Sequence, residues 1–204
     1  FKLVVKGIYT APSALKAGDA STTYKTVVFY ESDGSTVTRM AYCIQPKETS
    51  PGSGQTYDKD DIEILDDSTS KDKKMMKAMY YLYGGPAWNK KIEYADGSGS
   101  VNLKTVMTEA GCSSVSHYYT MTHYVLSYLY MNGSNWNYNS SESGVLNSSG
   151  VSLVKSVVSY LNKLPVPTTE LTLSSLTAAY ADGISVSQTT TYKAIDENTA
   201  KIKL

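Results

Sequence analysis

The chain is poor in the residues that commit a protein to the commonest chemistries. Among its 204 residues are two cysteines, two histidines, two tryptophans, two phenylalanines and one arginine, Arg39. Cys43 and Cys112 lie far apart and in no CxxC spacing, which argues against a structural zinc site or an iron–sulfur cluster. A single arginine and a formal net charge of zero, from 19 Lys+Arg against 19 Asp+Glu, leave no basic face for nucleic acid. No run approaches the roughly 18 apolar residues of a membrane span, so no membrane contact is expected of this segment. The chain opens on Phe1, with no Met and no export signal, and reads as a mature or trimmed part of a longer parent.

What is present points to binding. Hydrophobic residues make up 41% and charged residues 19%, enough apolar content for a real core and too little charge for disorder. Tyrosine occurs 18 times, so nearly all the aromatic bulk carries a hydroxyl and suits surfaces that stay wet and still make contact. Ser, Thr, Gly and Asn crowd the stretch 132–152, a composition common in exported proteins.

Periodicity divides the chain into three parts. β-rich runs cover Phe1–Tyr9, Tyr24–Glu31 and Ser35–Gln45, the last two joined by a Ser32-Asp33-Gly34 turn. The third run delivers Cys43 near a strand end, beneath a Pro, Gly and Ser-rich loop at 46–55. Helical spacing follows at Lys71–Tyr83, stopped by Gly84-Gly85-Pro86, then at Val101–Ala110, His117–Tyr130 and Ser149–Leu164. Pro165 and Pro167 end the last helix, and alternating β runs at Glu170–Ser175, Ile184–Tyr192 and Thr199–Leu204 complete the chain. The expected fold is α+β: a β-sheet or barrel-like subdomain plus a helical subdomain within 1–167, then a terminal β segment, 168–204, as the start of a further β-sandwich domain.

Cys43 and His123 are the residues in which chemistry could sit. A thiol is a strong nucleophile only as thiolate, and a neighbouring imidazole can take its proton, so a strand-end Cys facing a helical His makes a workable dyad. With two of each residue present, spacing alone leaves the bland reading open, a buried thiol and a satisfied core histidine.

The words around these residues add to that reading. Tyr42-Cys43-Ile44, the Gly-Gly-Pro after a Tyr-rich helix and Thr122-His123-Tyr124-Val125-Leu126 together resemble the thioester domains, or TQXA domains, of Gram-positive surface adhesins. The resemblance spans Tyr24 to Leu164. It implies a thioester-domain-like fold, a secreted and cell-wall-anchored surface protein, and attachment to a host surface or extracellular-matrix protein or glycan. In that family a Cys and a Gln side chain join as an internal thioester that captures host amines.

The chain departs from the family where the bond is made. His123 stands at the Gln position, and Val125 and Ser127 replace the helix Ala and Trp. An imidazole cannot lose ammonia to give an acyl group, so Cys43 and His123 cannot form the thioester. They could instead form a thiolate–imidazolium pair, a nucleophilic acyl-transfer site of peptidase or transglutaminase type, with Glu109, Asp96 or Asn102 to orient the ring and Gln45 as an oxyanion donor. The alternative is a non-covalent adhesin or pilus-tip module with a vestigial Cys/His site and a tyrosine-rich binding surface. No cofactor and no metal is called for. The acidic stretch Asp58–Asp67 lacks EF-hand spacing and reads as a solvated loop, and a Cys43–Cys112 disulfide is less expected than two free thiols. Of the tyrosines, Tyr80 and Tyr128 are expected inward, with Trp88 exposed.

Overall fold

The structure is a computed structural model that describes residues 2–30, 33–45, 54, 56, 69–139, 142–167, 180–181 and 184–185. The chain divides into two compact units, Phe1–Val166 and Pro167–Leu204. In the second, the described residues are a hairpin of Tyr180–Ala181 with Ile184–Ser185. The strands expected at Glu170–Ser175 and Thr199–Leu204, and the acidic stretch at 58–67, lie outside the described residues.

The first unit begins with an antiparallel sheet in the order β1 (Lys2–Thr10), β2 (Ser21–Tyr30), β3 (Thr36–Ala41). β1 runs against β2 from Lys2↔Val28 to Thr10↔Ser21, with a bulge between Val5 and Gly7. The turn before β3 uses Gly34 at φ 83° and the Asp33 carboxylate, which accepts from the Ser35 N–H at 2.9 Å. Pairing of β2 with β3 stops at Lys25↔Ala41, so β3 is shorter than its β-rich sequence and Cys43 lies two residues beyond it.

Four helices cover 70–163: α1 (Ser70–Tyr81), α2 (Leu103–Glu109), α3 (Val115–Tyr130) and α4 (Ser148–Lys163). Each begins at a residue whose side-chain oxygen accepts a backbone N–H, namely Thr69, Asn102, Ser114 and Asn147. α1 ends where Gly84 takes φ 89°, a left-handed conformation that favours glycine. α3 is the centre of the unit. Eleven of its residues are buried, polar ones included, because it packs against β1 and β2 on one side and α1 and α4 on the other. α4 is amphipathic by contrast, burying Leu153, Val154, Val157 and Leu161.

The start of α4 is seated on the 3-10 turn Ser13–Leu15. Asn147 donates its amide to Ala14 O at 2.9 Å and Lys16 O at 3.4 Å, while its carbonyl caps Gly150 N at 3.0 Å. Gly150 itself lies so close to the turn that a Cβ there would sit 2.3 Å from Leu15 O. Asn147→Ala removes the cap and both bridges at once, and a loss of about 2 kcal/mol is expected in urea unfolding, the upper end for a capping residue.

Candidate functional site

The site grows from the place where β2 and β3 part. The last ladder pair is Lys25↔Ala41, and beyond it the Tyr119 hydroxyl of α3 takes over the strands' hydrogen bonding. It donates toward Ala41 O at 2.6 Å and Thr23 O at 3.2 Å, and accepts from the Lys25 N–H at 3.2 Å. The Tyr119 ring is clamped by Tyr42, stacked at 4.5 Å, and meets Tyr24 and Tyr9 edge-on at 5.0 and 5.5 Å. His123 lies one helical turn further along the same face of α3, and its imidazole is hydrogen-bonded to the backbone of Cys43. Nδ1 has no partner, so that bond is made through Nε2. Tyr119 and His123 together hold the chain that leaves β3.

The electrostatics follow from burial. His123 is 5% exposed, and desolvation pushes its pKa down to about 4, with the bond to Cys43 opposing and the Lys25 ammonium adding to the fall. The ring is therefore neutral at physiological pH. Lys25 is 2% exposed, and burial lowers its pKa while the Cys43 sulfur favours its charge. Its ammonium donates to Thr23 Oγ1. Side chains alternate along a strand, so Thr23, Lys25 and Ala41 share one face, and the same alternation carried past Ala41 puts Cys43 there too. The sulfur's hydrogen bond goes to Gln45 O at 3.8 Å, and both cysteines are free thiols. Cys43 is half-buried, whereas Cys112 is fully buried in the core and pushed up to about 12 by desolvation.

A groove of about 330 Å³ opens beside Cys43, lined by its neighbours Tyr42 and Ile44, by Met75 and Met79 of α1 and by Tyr130 at the end of α3. Lys71 and Asp72 form its charged rim. The Lys71 ammonium lies 3.9 Å from the centre of the Tyr130 ring, and Gln45 donates its amide to the Tyr130 hydroxyl at 3.2 Å.

The structure thus brings Cys43 and His123 together and leaves the other expected members elsewhere. Asn102 caps α2 and donates to Asn89 O, and Asp96 accepts from Ser98 in a turn. Glu109 ends α2, and no carboxylate meets Nδ1 among the described residues. The tyrosines sort differently from their helical spacing. Tyr81, Tyr119 and Tyr124 are the fully buried ones and Tyr80 and Tyr128 are half-buried. Trp88 is not exposed, because it packs edge-on against Tyr83 and Tyr118. Lys25 carried no signal in the sequence, since a lysine in a Thr-rich strand looks like a solvent-facing residue.

A family model described as Thioester domain matches residues 13–168. The chain belongs to the thioester-domain family. The match covers β2, β3, the four helices and both Cys43 and His123, as the Tyr-Cys-Ile and Thr-His-Tyr-Val-Leu words implied. Within a thioester domain His123 occupies the glutamine position, and here the ring reaches the backbone of the cysteine that would otherwise be acylated. No curated protein and no solved structure gives a significant match. Among the described residues no helix is long and apolar enough to cross a membrane, and no group of three metal-binding side chains occurs.

Proposed function

We propose that this thioester domain is a secreted, wall-anchored, adhesin-type module of a Gram-positive bacterium that meets its host ligand, a surface or matrix protein or a glycan, without acyl transfer. Cys43 and His123 stand in the place of the thioester pair and do not form an acyl-transfer dyad. The observation that carries this reading is the state of His123. A base for a thiol needs affinity for the proton and a partner to steady the resulting cation. Burial holds the ring near 4, its Nδ1 faces no carboxylate, and its bond to Cys43 goes to backbone rather than to sulfur. The half-buried Tyr42 and Tyr130 and the exposed Met79 of the adjoining groove supply the contact surface.

The test is intact mass after incubation with a glutamine-containing peptide and a primary amine, with Cys43 located by peptide mapping. Unchanged mass is expected; an acyl adduct on Cys43, or amine incorporation into the peptide, would overturn the reading in favour of a nucleophilic acyl-transfer site. His123→Gln is the companion experiment. It returns a carboxamide to the position that now touches Cys43, and a product lighter by one ammonia is expected as the sulfur bonds to the carboxamide carbon.

A further inference from the structure

We propose that α3 carries an internal water-binding site, in which ordered water is held by Nδ1 of His123 together with the hydroxyls of Thr120 and Ser127. The bound water fixes the ring tautomer that holds Cys43. The inference concerns the interior of the domain and is independent of what the domain attaches to.

Thr120, His123 and Ser127 stand at i, i+3 and i+7, along one stripe of a helix that is buried nearly all round. Thr120 and Ser127 are 0% exposed and His123 is 5% exposed. Thr120 Oγ1, His123 Nδ1 and Ser127 Oγ have no hydrogen-bond partner among the described residues. Such atoms are rare in folded chains, because each forfeits its bonds to water on burial. Three of them on one stripe mark a polar interior, the setting in which buried water is retained as part of the structure.

The covalent geometry of the ring decides which groups can serve Nδ1. Nδ1 is bonded to Cγ and stays close to the helix, whereas Nε2, on the far side of the ring, reaches across to the backbone of Cys43. The helix neighbours one turn away are Tyr119 and Thr120 on one side and Leu126 and Ser127 on the other. Tyr119 spends its hydroxyl on the strand ends, and Leu126 has no polar atom. Thr120 and Ser127 remain, and both are themselves unpartnered. Neither bonds the ring directly, and side chains at this spacing start from Cβ atoms about 5–6 Å apart, a gap of the size that two hydrogen bonds through one water oxygen bridge.

The protons can be assigned. The bond to Cys43 favours the charged ring, so Nε2–H donates to the Cys43 carbonyl and Nδ1 is left with a lone pair. Water donates to that lone pair and accepts from a Thr120 or Ser127 hydroxyl. A ring nitrogen that accepts a hydrogen bond carries no proton of its own, so the water keeps the proton on Nε2, where it holds the chain beyond β3. The low proton affinity of the ring stands, since it comes first from burial and one water does not restore the hydration of an imidazolium.

The experiment counts long-lived water by oxygen-17 magnetic relaxation dispersion, in the native chain and in the Thr120→Val, Ser127→Ala double variant, and reads His123 by nitrogen-15 NMR. The native chain should show one tautomer, protonated on Nε2, with the Nδ1 signal displaced upfield from that of an unbonded ring nitrogen. The double variant should lose at least one long-lived water, return Nδ1 to the unbonded position and have its folding equilibrium constant lowered by about five-fold in urea unfolding, because Nδ1 is then stranded. An unchanged water count, or a variant more stable than the native chain, would overturn the proposal, since the hydroxyls would then be stranded groups whose removal relieves the fold. A displaced Nδ1 signal without long-lived water would mean a direct hydroxyl bond and overturn it too. Should the double variant not fold, Ser127→Ala alone carries the same readouts, and an unbonded Nδ1 in the native chain is by itself decisive against the site.

Discussion

Acidification from neutral pH to about pH 4 should cost this domain about 3 kcal/mol through His123 alone, from a shift between the ordinary histidine value of 6.5 and the folded value of about 4. The sign follows from which state binds the proton. Below 6.5 the unfolded chain takes up a proton on this residue, while the folded chain, with the ring buried and its Nδ1 unpartnered, refuses it until about 4. Stability from this group is therefore fully present above 6.5, falls as the pH drops through that window, and is lost below about 4. The ring is 5% exposed, so solvent does little to soften the effect. Urea midpoints of the wild-type chain and His123→Leu, each at several pH values across the window, isolate it: the difference between the two should shrink steadily on acidification. Parallel curves would mean that the ring finds a proton acceptor in the folded state.

The second large effect is expected at Tyr119→Phe, a loss of about 3 kcal/mol from one oxygen atom, the upper end for stranded buried groups. The ring and its aromatic clamp remain, but Ala41 O, Thr23 O and the Lys25 N–H lose the hydroxyl that bridges them. Backbone groups at the end of a sheet can normally turn to water, and here α3 covers them. Hydrogen exchange supplies the specific readout. The Lys25 amide should lose most of its protection while the α4 amides keep theirs, and the residues leaving Ala41 should loosen enough to speed alkylation of Cys43. A stability change with Lys25 protection intact would mean that the strands close up on each other without the hydroxyl.

On the proposed reading, these two residues mark how the family's site is rebuilt. A thioester domain needs its cysteine held against one position of a central helix. This chain keeps the holding: Tyr119 pins the strand ends and His123, a turn later, pins the backbone of Cys43. What has gone is the acyl group. The site is a free thiol whose backbone is held by a neutral, buried imidazole, with the buried Lys25 on the neighbouring strand.

Much of this could be read directly from residue order. Helix positions followed from apolar spacing and from stops that are local in origin, such as Gly84 and Pro165, and capping residues close to the expected starts confirm them within a few positions. The pairing of Cys43 with His123 was legible because short motifs tie each residue to a family position, and the failure of the thioester followed from the chemistry of imidazole alone. Those are properties of neighbouring residues or of functional groups, and they do not depend on what folds against them.

The tertiary structure decided the rest, because burial is set by elements distant in sequence. Lys25 and Thr26 sit in a strand that reads as half solvated, and both are buried because the sheet is covered there. β3 ends at Ala41 despite the β-rich residues beyond it, since a tyrosine from α3 is the better partner for those strand ends. α3 is buried nearly all round, so its helical stripe could not tell which tyrosines were core, and Trp88 found two rings to pack on. The protonation state of His123 belongs to the same class: an imidazole acquires its function from the dielectric and the partners around it, and only the folded chain supplies them.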